Sequence, residues 1–515
     1  MLAGALRSVK SDLEAFAAKR GSLRDETAAP SALPGQFMLR DRLVSGSPSR
    51  APDLSLATAS LVFDGWQPLR TAEVVDASGK SIGLLVGDAL DLEASVIIAE
   101  RLTCRIPFEA LNADRFVEQE IYRLGGSFLF ILDVAGCRRV YLDADGTLSC
   151  VFDPALKRVG ATAAAILSAE EYRSRFDLGL YRGLAIASDG WFPAGLTAHR
   201  GVERLLVNHY LDLDTWRQVR HWPCGDIPPT NDPNAQCRLI AASTKAAIAT
   251  LATADDPLAC SLTAGNETRL LLAASKDLRD RITFVTIDAP ETALDVHRAR
   301  DLAQRFALKH SLLPLVVAER TARAEWHART GHCNGGLNWR THPSVWPLEP
   351  YAYLLIGLGG EVGRGFYWRA TDQSDLAITA DLLVARTGLA PLPRLRDAVA
   401  RWLAGLPTRD PFQILDLFYL ENRMGPWAFA QSYANPRVRQ VSPMISRRVF
   451  EAMLSLPPEW RRSNRMMRET IAVSWPELLE APINRWGDHR DLTSKLLRAV
   501  RRPQLIVRKL RRMVS

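Results

Sequence analysis

The sequence contains no apolar run of the roughly 20 residues that a membrane-crossing helix needs, so no membrane span is expected. It contains no CxxC pair. Its seven cysteines (Cys104, Cys137, Cys150, Cys224, Cys237, Cys260 and Cys333) are scattered and odd in number, which argues against a disulfide framework or a zinc knuckle and suits reduced thiols. Internal repeats and low-complexity tracts are absent. The opening stretch, MLAGALRSVKSDLEAFAAKRG, places Arg7, Lys10 and Asp12 where a secretory signal would need unbroken apolar residues. The expected location is the cytoplasm. His297, His310, His327, His332 and His342 show no metal-ligand spacing and read as scattered core or surface residues. The thirteen tryptophans are spread out and read as packing residues.

What is present is ordinary globular material: 515 residues, 47% hydrophobic and 24% charged, enough for two domains with separate cores. The net charge is +8, a mild excess that selects no partner by itself. Eight basic residues and no acids fall between Lys495 and Arg512. That tail, residues 491–515, is expected to close the domain as a solvated basic helix or to touch an anionic membrane peripherally. No aromatics are interleaved with its basic residues, so nucleic acid is not expected as a partner.

Residues 1–50, rich in Ser, Ala, Pro and Arg, read as a poorly ordered extension. From 51 to 222 short apolar runs broken by Gly, Asp and Pro predict a strand-rich layered domain, with a hairpin turn at Asp143-Ala-Asp-Gly146. Four prolines in 223–236 mark a linker. From 237 to 490 helical and apolar strand patterns alternate, which predicts a parallel sheet with helices on its faces.

Two segments of the second half carry chemistry. In Ala259–Ala273 an apolar strand runs through Leu262, Thr263, Ala264, Gly265 and Asn266 directly into a helix beginning near Glu267 and Thr268. Small residues before a helix N-terminus let phosphate oxygens approach backbone N–H groups. Glu267 offers a magnesium ligand and Thr268 a hydroxyl. In Leu354–Trp368 a second apolar strand meets a glycine-dense turn containing Gly357, Gly359, Gly360 and one acid, Glu361.

The first segment resembles the pyrophosphate loop of the asparagine-synthetase family, Ser-Gly-Gly-x-Asp-Ser. Thr263 falls on its Ser, Ala264 and Gly265 on the two Gly, Glu267 on the Asp and Thr268 on the final Ser. The second is similar to the family's Gly-Glu-Gly-(Ser/Ala)-Asp-Glu motif. Glu361 falls on the magnesium-binding Asp and Tyr367 on a following Tyr, while Leu358 and Val362 replace two further acids. The resemblance is closest to the branch found beside polysaccharide genes and covers roughly residues 120–480.

The resemblance implies a C-terminal α/β domain of the adenine-nucleotide alpha-hydrolase-like (PP-loop ATP pyrophosphatase) type. It also implies an N-terminal α+β layered, glutaminase-like (Ntn-hydrolase-like) domain. It implies ATP and Mg2+ as cofactors, with Glu267 and Glu361 as metal ligands and Thr286 where adenine meets the sheet. Tyr367 and Arg468 are the implied catalytic residues. Arg468 lies in a stretch where many synthetases carry a catalytic Lys, and it can steady pyrophosphate but is a poor proton donor. The glutaminase nucleophile, a Cys after the initiator Met, is replaced by Leu2, so glutamine hydrolysis is not expected. The implied reaction joins a small-molecule or glycan carboxylate to ammonia or an amine. The alternative is a non-catalytic relative that binds a nucleotide or a partner. A homodimer is left open.

Overall fold

The computed structural model describes residues 32–42, 50–428 and 437–491. The tail from 492 onward lies outside them. No helix among the described residues is long and apolar enough to cross a membrane.

The first half stacks two largely antiparallel sheets, the larger of which also pairs Thr71–Val75 with Arg101–Thr103 in parallel. The strand Phe37–Asp41 is central in a six-stranded sheet, paired with Leu61–Gly65 on one side and Arg158–Gly160 on the other. The eight-stranded sheet is built around Ser81–Asp91 and Gly125–Val134, paired over eight registers from Gly83↔Leu132 to Leu90↔Gly125. Side chains alternate in direction along a strand, and the burial follows that alternation. Leu39 and Phe63 of one sheet meet Leu84, Val86, Leu129 and Ile131 of the other. Leu85, Phe128, Phe130 and Leu132 point the opposite way, onto Phe116 and Val117 of the helix Ala113–Glu120. Met38 points outward to Ala163, Ile166 and Tyr172. The result is a helix–sheet–sheet–helix stack.

Two sequence expectations fail here. The extension expected to be poorly ordered contains Phe37–Asp41, whose ladder partners lie more than a hundred residues away in one case and so leave no local signal. The expected hairpin at Asp143–Gly146 is a crossover. Cys137–Leu142 pairs in the eight-stranded sheet and Val151–Asp153 in the six-stranded one. The fully buried Asp143 carboxylate accepts from the amides of Phe128, Asp145, Thr147 and Leu148 at 3.0–3.1 Å, and this holds the bend without a ladder.

The second half is a five-stranded sheet in the order His310–Pro314, Ile282–Asp288, Leu258–Ser261, Tyr353–Leu355 and Gln440–Val441, with every neighbouring pair parallel. Its central strands are buried on both faces, as parallel strands must be. The helix Pro233–Leu251 starts inside the expected linker. Proline is favourable at its first turn, and the Asp232 side chain accepts from Ala235 N. The halves are joined by a buried polar network. Glu421 accepts both Nη groups of Arg220 (2.6 and 2.7 Å), Asn208 Nδ2 (2.9 Å) and Trp402 Nε1 (2.7 Å). Arg447 donates to Glu118 at 3.0 Å and to Asn208 Oδ1 at 3.1 Å.

Candidate functional site

Leu258–Ser261 and Tyr353–Leu355 are adjacent and parallel, so the loops that follow them leave at the same carboxyl-end rim of the sheet. Ligands of parallel α/β sheets bind at that rim. The first loop runs into the helix Asn266–Ala274, with Gly265 as its N-cap. Its amides are satisfied internally. Thr263 N donates to Thr268 Oγ1 (3.2 Å), Ala264 N to Asp295 Oδ1 (2.8 Å) and Gly265 N to Thr263 Oγ1 (3.2 Å), and the two threonine hydroxyls are 2.8 Å apart.

The second loop lies directly on that first turn. A Cβ added at Gly357 would sit 2.7 Å from Glu267 Cβ, and one added at Gly360 would sit 2.9 Å from Glu267 Cγ. Gly359 has φ +101°, a conformation that favours glycine. Glu267 and Glu361 are therefore neighbours, and Arg364 reaches both. Its Nη2 lies 2.5 Å from Glu267 Oε1 and 3.6 Å from Glu361 Oε1. Burial, and then the charge of Glu267, push the Glu361 carboxyl up to about 7. The site retains unmet polar demand. Glu267 Oε1 lacks an aligned hydrogen bond despite the ion pair, and Glu361 Oε2 and Arg364 Nε are buried with no hydrogen-bond partner, while the buried Tyr367 hydroxyl lies within reach of Arg423. Buried polar atoms are normally paired, so the unmet Glu361 Oε2 beside the ion-paired Glu267 points to a ligand.

The other expected residues divide. Leu262 and Thr286 are buried, and the Thr286 hydroxyl donates to Leu262 O at 2.6 Å and contacts His310 Nε2 at 2.9 Å. Thr286 thus clamps two strands, and its hydroxyl is already occupied. Tyr367 packs among Phe366, Phe418 and Tyr419 on the flank of the second loop. Arg468 is exposed and lines a cleft of about 520 Å³ with Asn266, Asn464, Asn484 and Arg485. The far wall of that cleft is a strap, residues 478–486. Buried Arg269 donates to Leu478 O and Ala481 O, Arg298 to Arg485 O and Trp486 O, and Asn484 N donates to Ala264 O.

Sequence reasoning missed Arg364, Asp295 and the strap. Arg364 was visible as the one base following Glu361 by a single turn. Asp295 and the strap reach the loop only through tertiary packing. Among the described residues no group of three or more His, Cys, Asp or Glu side chains is arranged to hold a metal ion. His327 and His332 are not surface residues. Their rings stack at 5.6 Å, and with buried His199 they pack among Tyr172, Phe176 and Tyr181.

No protein-family model matches the chain, and no curated protein matches it. Among solved structures the chain is similar to NMN synthetase from Francisella tularensis at 9% identity, with 46% of this chain and 97% of that one covered and a TM-score of 0.17. A likeness that slight carries no weight, and the functional reading rests on the site's geometry.

Proposed function

We propose that the chain binds ATP across the loops 262–268 and 357–361 and uses it to activate a carboxylate for amide formation. The observation that carries this reading is the meeting of two strand-end loops at one rim, with Glu267 and the partnerless Glu361 Oε2 brought side by side. In the reaction a carboxylate oxygen attacks the α-phosphorus and pyrophosphate leaves. An amine nitrogen then attacks the acyl-adenylate, loses a proton and displaces AMP. The loops supply position and the arginines supply charge. On this reading Arg468 and Arg364 would steady pyrophosphate, with the cleft beside Asn266 as its room.

Mg2+ takes one or two carboxylates and completes its shell with phosphate oxygens and water. The partnerless Glu361 Oε2 fits that role, whereas Glu267 Oε1 is held by Arg364. When bound, the ion would offset the negative charge gathering on the departing pyrophosphate.

A second reading, nucleotide binding without turnover, is favoured by two specific features. Arg364 fills the gap between the acids, and the loop amides are already capped by Asp295, Thr263 and Thr268. ATP–pyrophosphate exchange with a panel of carboxylates separates the two. Exchange that falls at least about 100-fold in Glu361→Ala supports the ligase, on the scale of removing a charge-stabilising group. ATP binding by calorimetry with no exchange for any acid supports the second reading.

A further inference from the structure

We propose that Arg423 anchors the carboxylate of a ring-shaped acid, of which a uronic acid is the test case, on an aromatic platform beside the second loop. This would be the acceptor side of the ligase reading, on which it rests.

The backbone singles out this position first. Leu420–Met424 is a π-helical turn following the helix Pro411–Tyr419, a rare conformation concentrated at functional sites. The two residues before Arg423 are pinned. Glu421 is held by Arg220, Asn208 and Trp402. Asn422 accepts Trp191 Nε1 on its carbonyl (2.8 Å) and Ala194 N on its side chain (2.7 Å).

Its surroundings are aromatic. The guanidinium carbon lies 4.2 Å from the Trp191 ring centre and 5.5 Å from those of Phe366 and Trp427. Trp191 is buried, whereas Phe366 is 47% and Trp427 36% exposed, so the cage has a closed wall and two open ones. Some arginines elsewhere that lie over rings also have acids, as Arg447 has Glu118, Arg461 has Asp416 and Arg139 has Asp114, whereas Arg279, Arg437 and Arg462 lie over rings with no ion pair to a described acid. No described carboxylate pairs with Arg423.

Beside it lies the buried Tyr367 hydroxyl, within hydrogen-bonding reach of Arg423. Burial raises that phenol's pKa, and Arg423 is close enough to pull against the rise. The platform is also continuous with the acid pair. Phe366 stacks on Tyr419 at 4.4 Å, and the Tyr419 phenol feels both Glu361 and Arg423.

A guanidinium recognises a carboxylate through two parallel N–H···O bonds. Exposed aromatic faces give a flat ring somewhere to lie, and the Tyr367 hydroxyl can meet a ring hydroxyl. The test is a tryptophan-fluorescence titration of the full chain without ATP, since Trp191 and Trp427 flank the site. Sodium D-glucuronate should give a saturable change. D-glucose and inorganic phosphate should bind at least tenfold more weakly. Arg423→Gln should weaken glucuronate at least tenfold, with part of the loss recovered in Arg423→Lys.

No saturable change with glucuronate, equal binding of glucose or phosphate, or an unchanged Arg423→Gln protein would overturn the proposal. If Arg423→Gln fails to fold, Trp427→Ala, which alters an exposed ring, must weaken glucuronate, and unaltered binding overturns the proposal equally. A chain that exchanges pyrophosphate but ignores glucuronate loses only this subsite. A chain that binds glucuronate but never ATP loses the ligase reading.

Discussion

Glu361 combines burial with a like charge next door, and its pKa of about 7 stands above the ordinary carboxyl value of 4.5. The sign of the consequence follows from proton counting. Between those two values the folded protein holds more protons than the unfolded chain, so stability falls as pH rises through the window. Glu361→Gln removes that titration. It should stabilise the protein by about 1–3 kcal/mol at pH 8 and leave it nearly unchanged at pH 4.5. Thermal melts at the two pH values decide this, and an equal shift at both would assign the effect to packing instead. A stabilising change at the proposed ligand site is the expected trade of stability for function. Both acids were legible in the sequence because each follows a strand and a glycine-bearing bend. The guanidinium between them was not, because sequence spacing does not show which way a side chain on a short turn will swing.

At the scale of elements, the two loops touch through glycine. Gly357→Ala would place a methyl 2.7 Å from Glu267 Cβ and 3.2 Å from the Thr268 amide nitrogen. Neither neighbour is the free end of a side chain. The variant should lose about 1–3 kcal/mol in urea unfolding and bind ATP at least tenfold more weakly. Gly225→Ala, with nothing within 4 Å of the added methyl, is the control and should stay within about 0.5 kcal/mol. The alternation of helices and strands after residue 237 was readable because each element carries its own period. The helix Ala293–Phe306 falls where its period predicts, but of the face expected from Val296, Ala299, Ala303 and Phe306 the first two are buried and the last two only partly, and Leu302 is buried beside them. The antiparallel half was harder to read. Its pairing is decided by partners far along the chain, so a polar bend such as Asp143–Gly146 looks like a hairpin whether or not its flanking strands ever pair.

For the whole molecule, acid tolerance should be set in part by the ring nest at His199, His327 and His332, with His209, lowered to about 4, and buried His221 acting in the same direction. Burial lowers all three imidazole pKa values, His332 to about 4 from 6.5, and neither ring nitrogen of His199 or His327 has a hydrogen-bond partner. The unfolded chain therefore binds more protons as pH falls from 6.5 towards 4, and stability is lost across that window, by about 3 kcal/mol from His332 alone. His332→Phe should flatten the pH dependence of the melting temperature there, and an unchanged slope would exclude the nest as its cause. The strap at 478–486 sets a different constraint on the whole. Arg269 and Arg298 grip it through main-chain oxygens, which every residue type possesses, so exposed side chains such as that of Arg485 are free to drift while its path, its length and the buried Leu478 and Ala481 are fixed. Insertions and deletions in that stretch should be far less forgivable than substitutions, because a single added residue would pull each carbonyl out of its guanidinium's reach.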